Sequence, residues 1–521
     1  MKRKIKSERG HNMAKIAIVG GGVSGLSAGI YAQLSGHTAV ICERHNVAGG
    51  NLTGWQRGEY HIDNCIHWLT GTNPTTDGYR MWKTLGALDS VDVYQPPTLY
   101  TCEENGISIS LNADLEQTKN DMIKISPDDE KEILSLIKAV ETLQGMAGIA
   151  GKTHNEKYNN AQIAISAPIL LKYYNLSAKE LAQKFKNSLL QQFISSFLGN
   201  EFSSLALIVI WAHFCGENGG LPKGGSLAMA TRMADRFQSL GGELLLKTEV
   251  IGIEHEKNKA TALNLSNGEK IIADYVVLTA DPAVMFDKLL DSPMPKQFKK
   301  LCNDPKLHRF SSYQCAFACD CENLGFSGDL MIEIPPKYRS LLHNEAFALR
   351  EFSHEKAFAP DGKQILQTLC FCDEKLAREF INMRNNKSKY DAEKQELAAT
   401  LMTLIESKLP HLKDKLTCID VWTPATYQRY VDSEIGSFMS FALPKGRLPV
   451  RQSNRIKGLD NVILATQWQQ MPGGLPIAAD GGKKAAETIN ELEFQRYQAK
   501  EQAENAKRKN MQTKTAPQSS L

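Results

Sequence analysis

Long apolar runs are missing from these 521 residues. A membrane-spanning helix needs roughly 20 consecutive apolar residues. The longest candidate, LALIVIWAHF at 205–214, is half that length and reads as a buried helix or strand. Charge of one sign is also scarce. The 61 Lys and Arg nearly balance the 58 Asp and Glu, for a net charge of +3, too little for the basic surface that nucleic acid demands. The 11 cysteines are scattered rather than grouped into a framework, as expected of a reduced, cytoplasmic protein. The basic extension 1–12, MKRKIKSERGHN, lacks the apolar stretch of a secretory signal. What remains is globular: 42% hydrophobic and 23% charged residues suffice for a large core and, at this length, two domains.

The most informative stretch is AKIAIVGGGVSGLSAGIYAQLSGHTAVICER, residues 14–44. Lys15–Val19 is short, apolar and β-branched, which predicts a buried strand. It runs into Gly20-x-Gly22-x-x-Gly25 and then into a helix. His37–Cys42 is a second strand, closed by Glu43. This is the dinucleotide-binding fingerprint in its required strand–turn–helix setting. Gly20 permits the tight turn, Gly22 lets the backbone approach a pyrophosphate, and Gly25 lets helix and strand pack closely. The helix N-terminus presents partial positive charge to that pyrophosphate. Glu43 accepts hydrogen bonds from a ribose diol and argues against a 2′-phosphate. Arg44 follows it, and Gly49-Gly50 adds a second glycine pair just beyond. There is no second GxGxxG, hence no sign of a separate NAD(P)H domain.

With that glycine pair the chain resembles the FAD-dependent superfamily of amine oxidases and phytoene desaturases. Further motifs narrow the likeness to its phytoene desaturase, carotenoid isomerase and retinol saturase-like branch. Pro222-x-Gly224-Gly225 leads into a helix, a Gly-Gly pair and a strand, and Val250 matches the valine whose backbone meets the adenine in that family. Asn267-Gly268 is the turn of a following hairpin. Trp422–Tyr430 (WTPATYQRY) resembles the family's T-P-x-T-x-x-R-Y segment, and residues 459–489 (LDNVILATQWQQMPGGLPIAADGGKKAAETI) its terminal FAD motif. Thr466 stands where the family has glycine, and Gln467 where many members have an acid; Gln467 can still bond a ribityl hydroxyl. The resemblance implies FAD as cofactor, with Gly474, Leu475 and Pro476 opening a helix toward the flavin.

HIDNCIHWLTG, residues 61–71, resembles the F-D-x-G-x-H-h-x-G segment of the same branch, with Asp63 and His67 at the acid and histidine and Cys65 in place of glycine. Zinc would want ligands spaced C-x₂₋₄-C plus a distant pair. Cys65-x-His67 is tighter than that, so no metal is expected. A Cys–His nucleophile dyad would share a strand face, but a flavin already supplies the chemistry. The candidate catalytic residues are His67, Tyr427 and Arg429, with Cys65 and Tyr430 on the substrate side. Each has an ordinary alternative. His67 reads as a hydrogen-bonded structural histidine, Cys65 as an apolar filler, Asp63 as a brace of its turn, and Arg429 as an interdomain ion pair. Cys315, Cys319, Cys321, Cys370 and Cys372 sit in alternating apolar runs and read as core strand positions.

The expected fold class is α/β: a Rossmann-type FAD-binding domain of the glutathione-reductase-like two-dinucleotide kind, with an α+β substrate domain. The FAD domain is expected from 13–95, 216–285 and 440–490, the substrate domain from 96–215 and 286–439, and a polar tail from 491–521, part helix and part disordered. Helices are expected at Asp128–Gln144 and Tyr390–Leu409. The apolar, lysine-dotted stretch 163–214 either lines a lipophilic tunnel, dips into a membrane interface as a peripheral contact, or forms an ordinary helical layer. The implied activity is desaturation, saturation or cis–trans isomerisation of C–C and C=C bonds in a polyene or isoprenoid-like substrate, with an external electron acceptor or donor as partner. Its rivals are a flavin amine oxidase and a non-enzymatic prenyl-protein binder on the same fold.

Overall fold

The computed structural model describes residues 13–144, 160–307, 309–447 and 451–514. A six-stranded sheet runs in the order Glu243–Leu245, Thr38–Cys42, Lys15–Val19, Tyr275–Leu278, Leu459–Leu464, Arg455–Ile456. The first five are parallel and the last pairs antiparallel at the edge. Parallel strands are buried on both faces, and the central three expose almost nothing beyond Lys15 and Thr38. The helix Val23–Leu34 packs against Gly225–Ser239 and against the terminal helix Leu475–Lys514. Two glycines make this possible: a Cβ on Gly29 would stand 2.6 Å from the Phe237 ring, and one on Gly482 2.2 Å from the Ser24 carbonyl oxygen. Gly25 lets the helix lie close to its own strand, a Cβ there meeting the Gly20 carbonyl oxygen at 1.9 Å. The terminal helix continues to Lys514 without a break.

A second sheet of seven strands is ordered Leu416–Trp422, Ser311–Cys319, Gln364–Cys372, Ala346–Glu351, Asp329–Glu333, Thr98–Glu104, Ile107–Asn112. Its pairs are antiparallel except Asp329–Glu333 against Thr98–Glu104. The period of two divides its faces. Cys370, Cys372, Cys315 and Cys319 point into a core shared with Leu397 and Leu401 of the helix Lys387–Lys408. Leu369 and Phe371 face the opposite way and line a cavity. These four cysteines are therefore core positions, and burial pushes the Cys370 thiol up to about 12, whereas Cys321 lies past the strand end at Cys319 and is only partly buried. Helices Glu130–Gln144, Asn160–Tyr174, Ser188–Ser195 and Ser204–Phe214 cover the cavity side. Ser204–Phe214 contains the apolar decamer, which is a helix. No helix among the described residues is long and apolar enough to cross a membrane.

Candidate functional site

One cavity of ≈ 990 Å³ lies at the carboxyl ends of the parallel strands. Open α/β sheets place their ligands there. Val19 and Cys42 end their strands on its wall, and Thr279 and Thr466 follow theirs. The turn between the first strand and helix adds Gly20 and Gly22. Gly20 has φ +99°, and a Cβ on it would meet the Thr279 hydroxyl at 2.5 Å. Above Gly22 nothing stands within 3.9 Å of a Cβ position, so the backbone lies open to a ligand. Gly49 bridges to Gly22 and, with Gly50, completes the cradle. Gly49 has φ +130° and faces the Leu52 carbonyl at 2.3 Å from a Cβ position, which excludes any side chain.

Glu43 sits on the wall, almost fully buried, and its carboxylate accepts the backbone N–H of Gly21 (2.7 Å) and of His45 (2.9 Å). Those bonds fix its rotamer and leave lone pairs for a ligand. Arg44 donates to the Arg429 carbonyl and lies 3.6 Å from Asp432 and 3.9 Å from Glu249. His45 stacks on Tyr430, with ring centroids 4.1 Å apart, and Nε2 meets the Tyr430 carbonyl. Arg44 and His45 therefore clasp residues 429–432. Val250, Gln467, Gly474, Leu475 and Pro476 also line the cavity. Gln467 Oε1 accepts the Gly474 N–H at 3.0 Å, leaving its amide N–H₂ unused by this turn. Thr466 has φ −133°, an extended conformation that does not need glycine.

His67 and Cys65 reach the same cavity. His67 Nδ1 lies 3.8 Å from Asp329 Oδ2, and Arg350 Nε lies 3.9 Å from the other oxygen of that carboxylate. Asp329 and Arg350 are buried, and His67 is partly buried. Burial, then Arg350, lowers the His67 pKa, which favours the neutral imidazole. Burial pushes the Cys65 thiol up to about 12, so it is protonated at neutral pH and is no nucleophile. Asp63 faces away from the cavity. It accepts the Ser226 N–H (2.5 Å), the Ser226 hydroxyl (2.6 Å) and the Cys65 N–H (3.1 Å). It ties the 61–71 loop to the start of the helix Gly225–Ser239.

Two expected catalytic residues are not on the cavity wall. Tyr427 is buried on the helix Pro424–Val431, and its hydroxyl is fully engaged. It accepts from Gln314 Nε2 (2.8 Å) and Trp422 Nε1 (3.0 Å) and donates to Asn64 Oδ1 (3.0 Å). The Arg429 guanidinium is exposed, and the tie runs through that residue's backbone carbonyl. The Thr-Pro-x-Thr sequence explains the helix. Thr423 and Thr426 form a capping box, and proline fits the first turn, where its missing N–H costs nothing. Of this segment only Tyr430 presents its side chain to the cavity, within 3.3 Å of the Thr53 hydroxyl.

The sequence arguments missed Asp329, Asp281, Asn51 and Ser437, all on the wall. Asp329 and Ser437 carry no motif signal, and Asn51 follows the second glycine pair directly. Asn51 Oδ1 and Ser437 Oγ are buried polar atoms without a protein partner. Such groups are costly unless something bonds them. Together with the open glycine cradle, they fit a large polar cofactor such as FAD. Asp281 accepts from the Ala283 N–H (2.9 Å) and the Ser433 hydroxyl (3.2 Å), and burial raises its pKa to about 6.

The far part of the cavity is apolar. Phe197, Phe202, Leu205, Val209, Met331 and Phe371 line it, from the helical stretch 163–214 and the second sheet. Trp68 and Phe197 lie 5.5 Å apart on this wall. Of the charged side chains on the cavity, only Asp329 comes from the second sheet.

The family model described as flavin containing amine oxidoreductase matches residues 23–490. Prolycopene isomerase 1, chloroplastic, of an Oncidium hybrid cultivar is 24% identical over 83% of this chain and 76% of its own length. A phytoene desaturase (lycopene-forming) from a Paracoccus species is 23% identical over 91% of this chain and 97% of its own. Among solved structures, an oxidoreductase from Methanosarcina mazei superimposes with a TM-score of 0.59 at 15% identity, covering 92% of this chain and 100% of that one. Cyclohexylamine oxidase from Brevibacterium oxydans gives 0.55 at 16% identity, with 92% and 100% coverage. These structures share the fold.

Proposed function

We propose, from the premise that this chain belongs to the flavin-containing amine oxidoreductase family and uses FAD as its cofactor, that it acts on C–C or C=C bonds of a lipophilic, polyene or isoprenoid-like molecule. One observation carries this reading: the cavity that begins at the nucleotide fingerprint continues without a break into an arm lined by aromatic and aliphatic side chains. Apolar surface of that kind binds by area. FAD supplies a site for hydride exchange when bound. The chain's own residues bind and orient. Glu43 would take the ribose hydroxyls, Gly20, Gly22, Gly49 and Gly50 would hold the pyrophosphate, and Val250 would meet the adenine. Arg44 holds the ribose loop by its clasp on residues 429–432. Gln467 offers its amide to the ribityl chain. The helix that starts at Leu475, with Gly474, Leu475 and Pro476 on the cavity wall, would offer its positive end to the flavin.

Of the imidazoles on the cavity wall, His45 is held against Tyr430 and His213 belongs to the helix Ser204–Phe214, which leaves His67, on the same loop as Cys65, for chemistry at the substrate. Its Nδ1 leans on Asp329, leaving Nε2 to hold or receive a proton at the substrate. Aromatic walls exclude water from that exchange. Leu170, Phe197, Phe202, Leu205 and Val209 line the arm, which supports the tunnel role for this stretch over membrane insertion.

Anaerobic mixing of the yellow enzyme with polyene and isoprenoid lipids tests the proposal. Bleaching of the oxidised enzyme indicates desaturation, and reoxidation of dithionite-reduced enzyme indicates saturation. Geometric isomers formed only by reduced enzyme, without net turnover of the flavin, indicate isomerisation. An external acceptor or donor closes the cycle in the first two cases. Rapid bleaching by simple amines and none by lipids would replace this reading with an amine oxidase.

A further inference from the structure

The helix Ser204–Phe214 presents one stripe to the cavity: Leu205, Ala206, Val209, Ile210 and His213. Spacings of one, four, five and eight residues put these side chains on a single face. Four are hydrocarbon and the last is an imidazole. We infer that His213 donates a hydrogen bond to an oxygen of the substrate, so that the preferred substrate is an apolar chain bearing a carbonyl or hydroxyl. The inference rests on the lipophilic reading of the arm and adds the polar group to it.

The buried Asn218 fixes the tautomer. Its Oδ1 accepts two backbone hydrogens, from Gly71 (3.1 Å) and from Asn73 (3.0 Å). A carbonyl oxygen can do that and an amide nitrogen cannot, so the amide has one orientation. Its Nδ2 then faces His213 Nδ1 at 3.0 Å. An N–H₂ group only donates, so Nδ1 must accept and cannot carry the proton. In the neutral ring the hydrogen is therefore on Nε2. Burial keeps the ring neutral by holding its pKa to about 4. Among the described residues no protein acceptor meets that Nε2–H. His213 lines the apolar arm, and once a ligand displaces water from that arm an N–H left without an acceptor is costly. A ligand oxygen relieves that cost, and a pure hydrocarbon does not. Sites built around such a donor discriminate against analogues that lack the acceptor.

The test uses FAD-loaded enzyme and three ligands of one skeleton: retinal, which only accepts, retinol, and deoxyretinol, the hydrocarbon. Affinity is read from the shift of the bound flavin's spectrum. The wild-type enzyme should bind retinal and retinol at least as tightly as the less water-soluble deoxyretinol. In His213→Phe the affinity ratio of retinal to deoxyretinol should fall by roughly tenfold, and His213→Gln, which keeps an N–H donor, should recover part of it. Flavin occupancy reports folding in both variants. Should His213→Phe fail to fold, the wild-type ranking and His213→Gln still decide. Deoxyretinol preferred by the wild type, or a ratio unchanged in His213→Phe, would overturn the inference while leaving the lipophilic reading intact. If none of the three ligands perturbs the flavin, both fall together.

Discussion

Replacing Asp63 by asparagine separates a brace from a proton-transfer group. The carboxylate accepts three hydrogen bonds, from the Ser226 N–H and hydroxyl and from the Cys65 N–H. It is buried, with 3% of its surface exposed, so water cannot replace them. Asparagine preserves the shape but converts one acceptor into a donor. If its Oδ1 keeps the two bonds of Asp63 Oδ1, its N–H₂ is driven against the Ser226 N–H. The loss comprises one charge-assisted bond and one buried N–H left unsatisfied, together roughly 3–5 kcal/mol. At about 2 °C per kcal/mol for a large chain, the melting temperature should fall by roughly 6–10 °C. Gly225 tests the same contact from the other side. It has φ +67°, and a Cβ on it would stand 2.2 Å from Asp63 Oδ2, so Gly225→Ala should show a comparable loss. Circular dichroism follows the unfolding, and anaerobic stopped-flow gives the rate of flavin reduction per bound flavin. A brace lowers stability and leaves that rate within a few-fold. An unchanged melting temperature with a collapsed rate would refute the structural assignment.

Glu43→Ala should weaken FAD retention by roughly tenfold to a hundredfold, the worth of hydrogen bonds to a carboxylate; fluorescence of released flavin measures it, and full retention would contradict the ribose assignment. Tyr427→Phe removes a hydroxyl engaged by Gln314, Trp422 and Asn64, so a loss of about 1–3 kcal/mol in urea unfolding is expected, with turnover per flavin unaltered. If His67 moves a proton, His67→Gln should slow substrate-driven flavin reduction by roughly a hundredfold with FAD still bound; if it is structural, stability or flavin occupancy falls instead. His213 should make folding acid-sensitive. Its pKa is held to about 4 in the folded chain against about 6.5 unfolded. Its contribution is therefore complete above pH 6.5 and lost as pH falls toward 4. The full difference is about 3 kcal/mol. Asp281, raised to about 6, acts with the opposite sign, so the measurement is the difference between wild type and His213→Phe in urea midpoints at pH 7 and pH 5. A difference independent of pH would refute it.

The sequence by itself determined what depends on neighbours along the chain. Strand, glycine turn, helix and terminal acid at 15–43 are local, because strand period, positive φ and helix opening are each set within a few residues. The alternation that put Cys370 and Cys372 on one sheet face and Leu369 and Phe371 on the other is equally local. So is the capping box at Thr423. The tertiary structure decided which side chains meet. Tyr427 and Tyr430 lie three residues apart in one motif, yet one is sealed under Gln314 and Trp422 while the other stacks on His45 at the cavity. Arg429 supplies its carbonyl rather than its guanidinium because Arg44 arrives from a distant strand end. Asp329 reaches His67, and Asn218 orients His213, through contacts that join separate strands, loops and helices. Periodicity can assign a residue to a face. It cannot say which other face will be laid against it, because that is fixed by the packing of the whole chain.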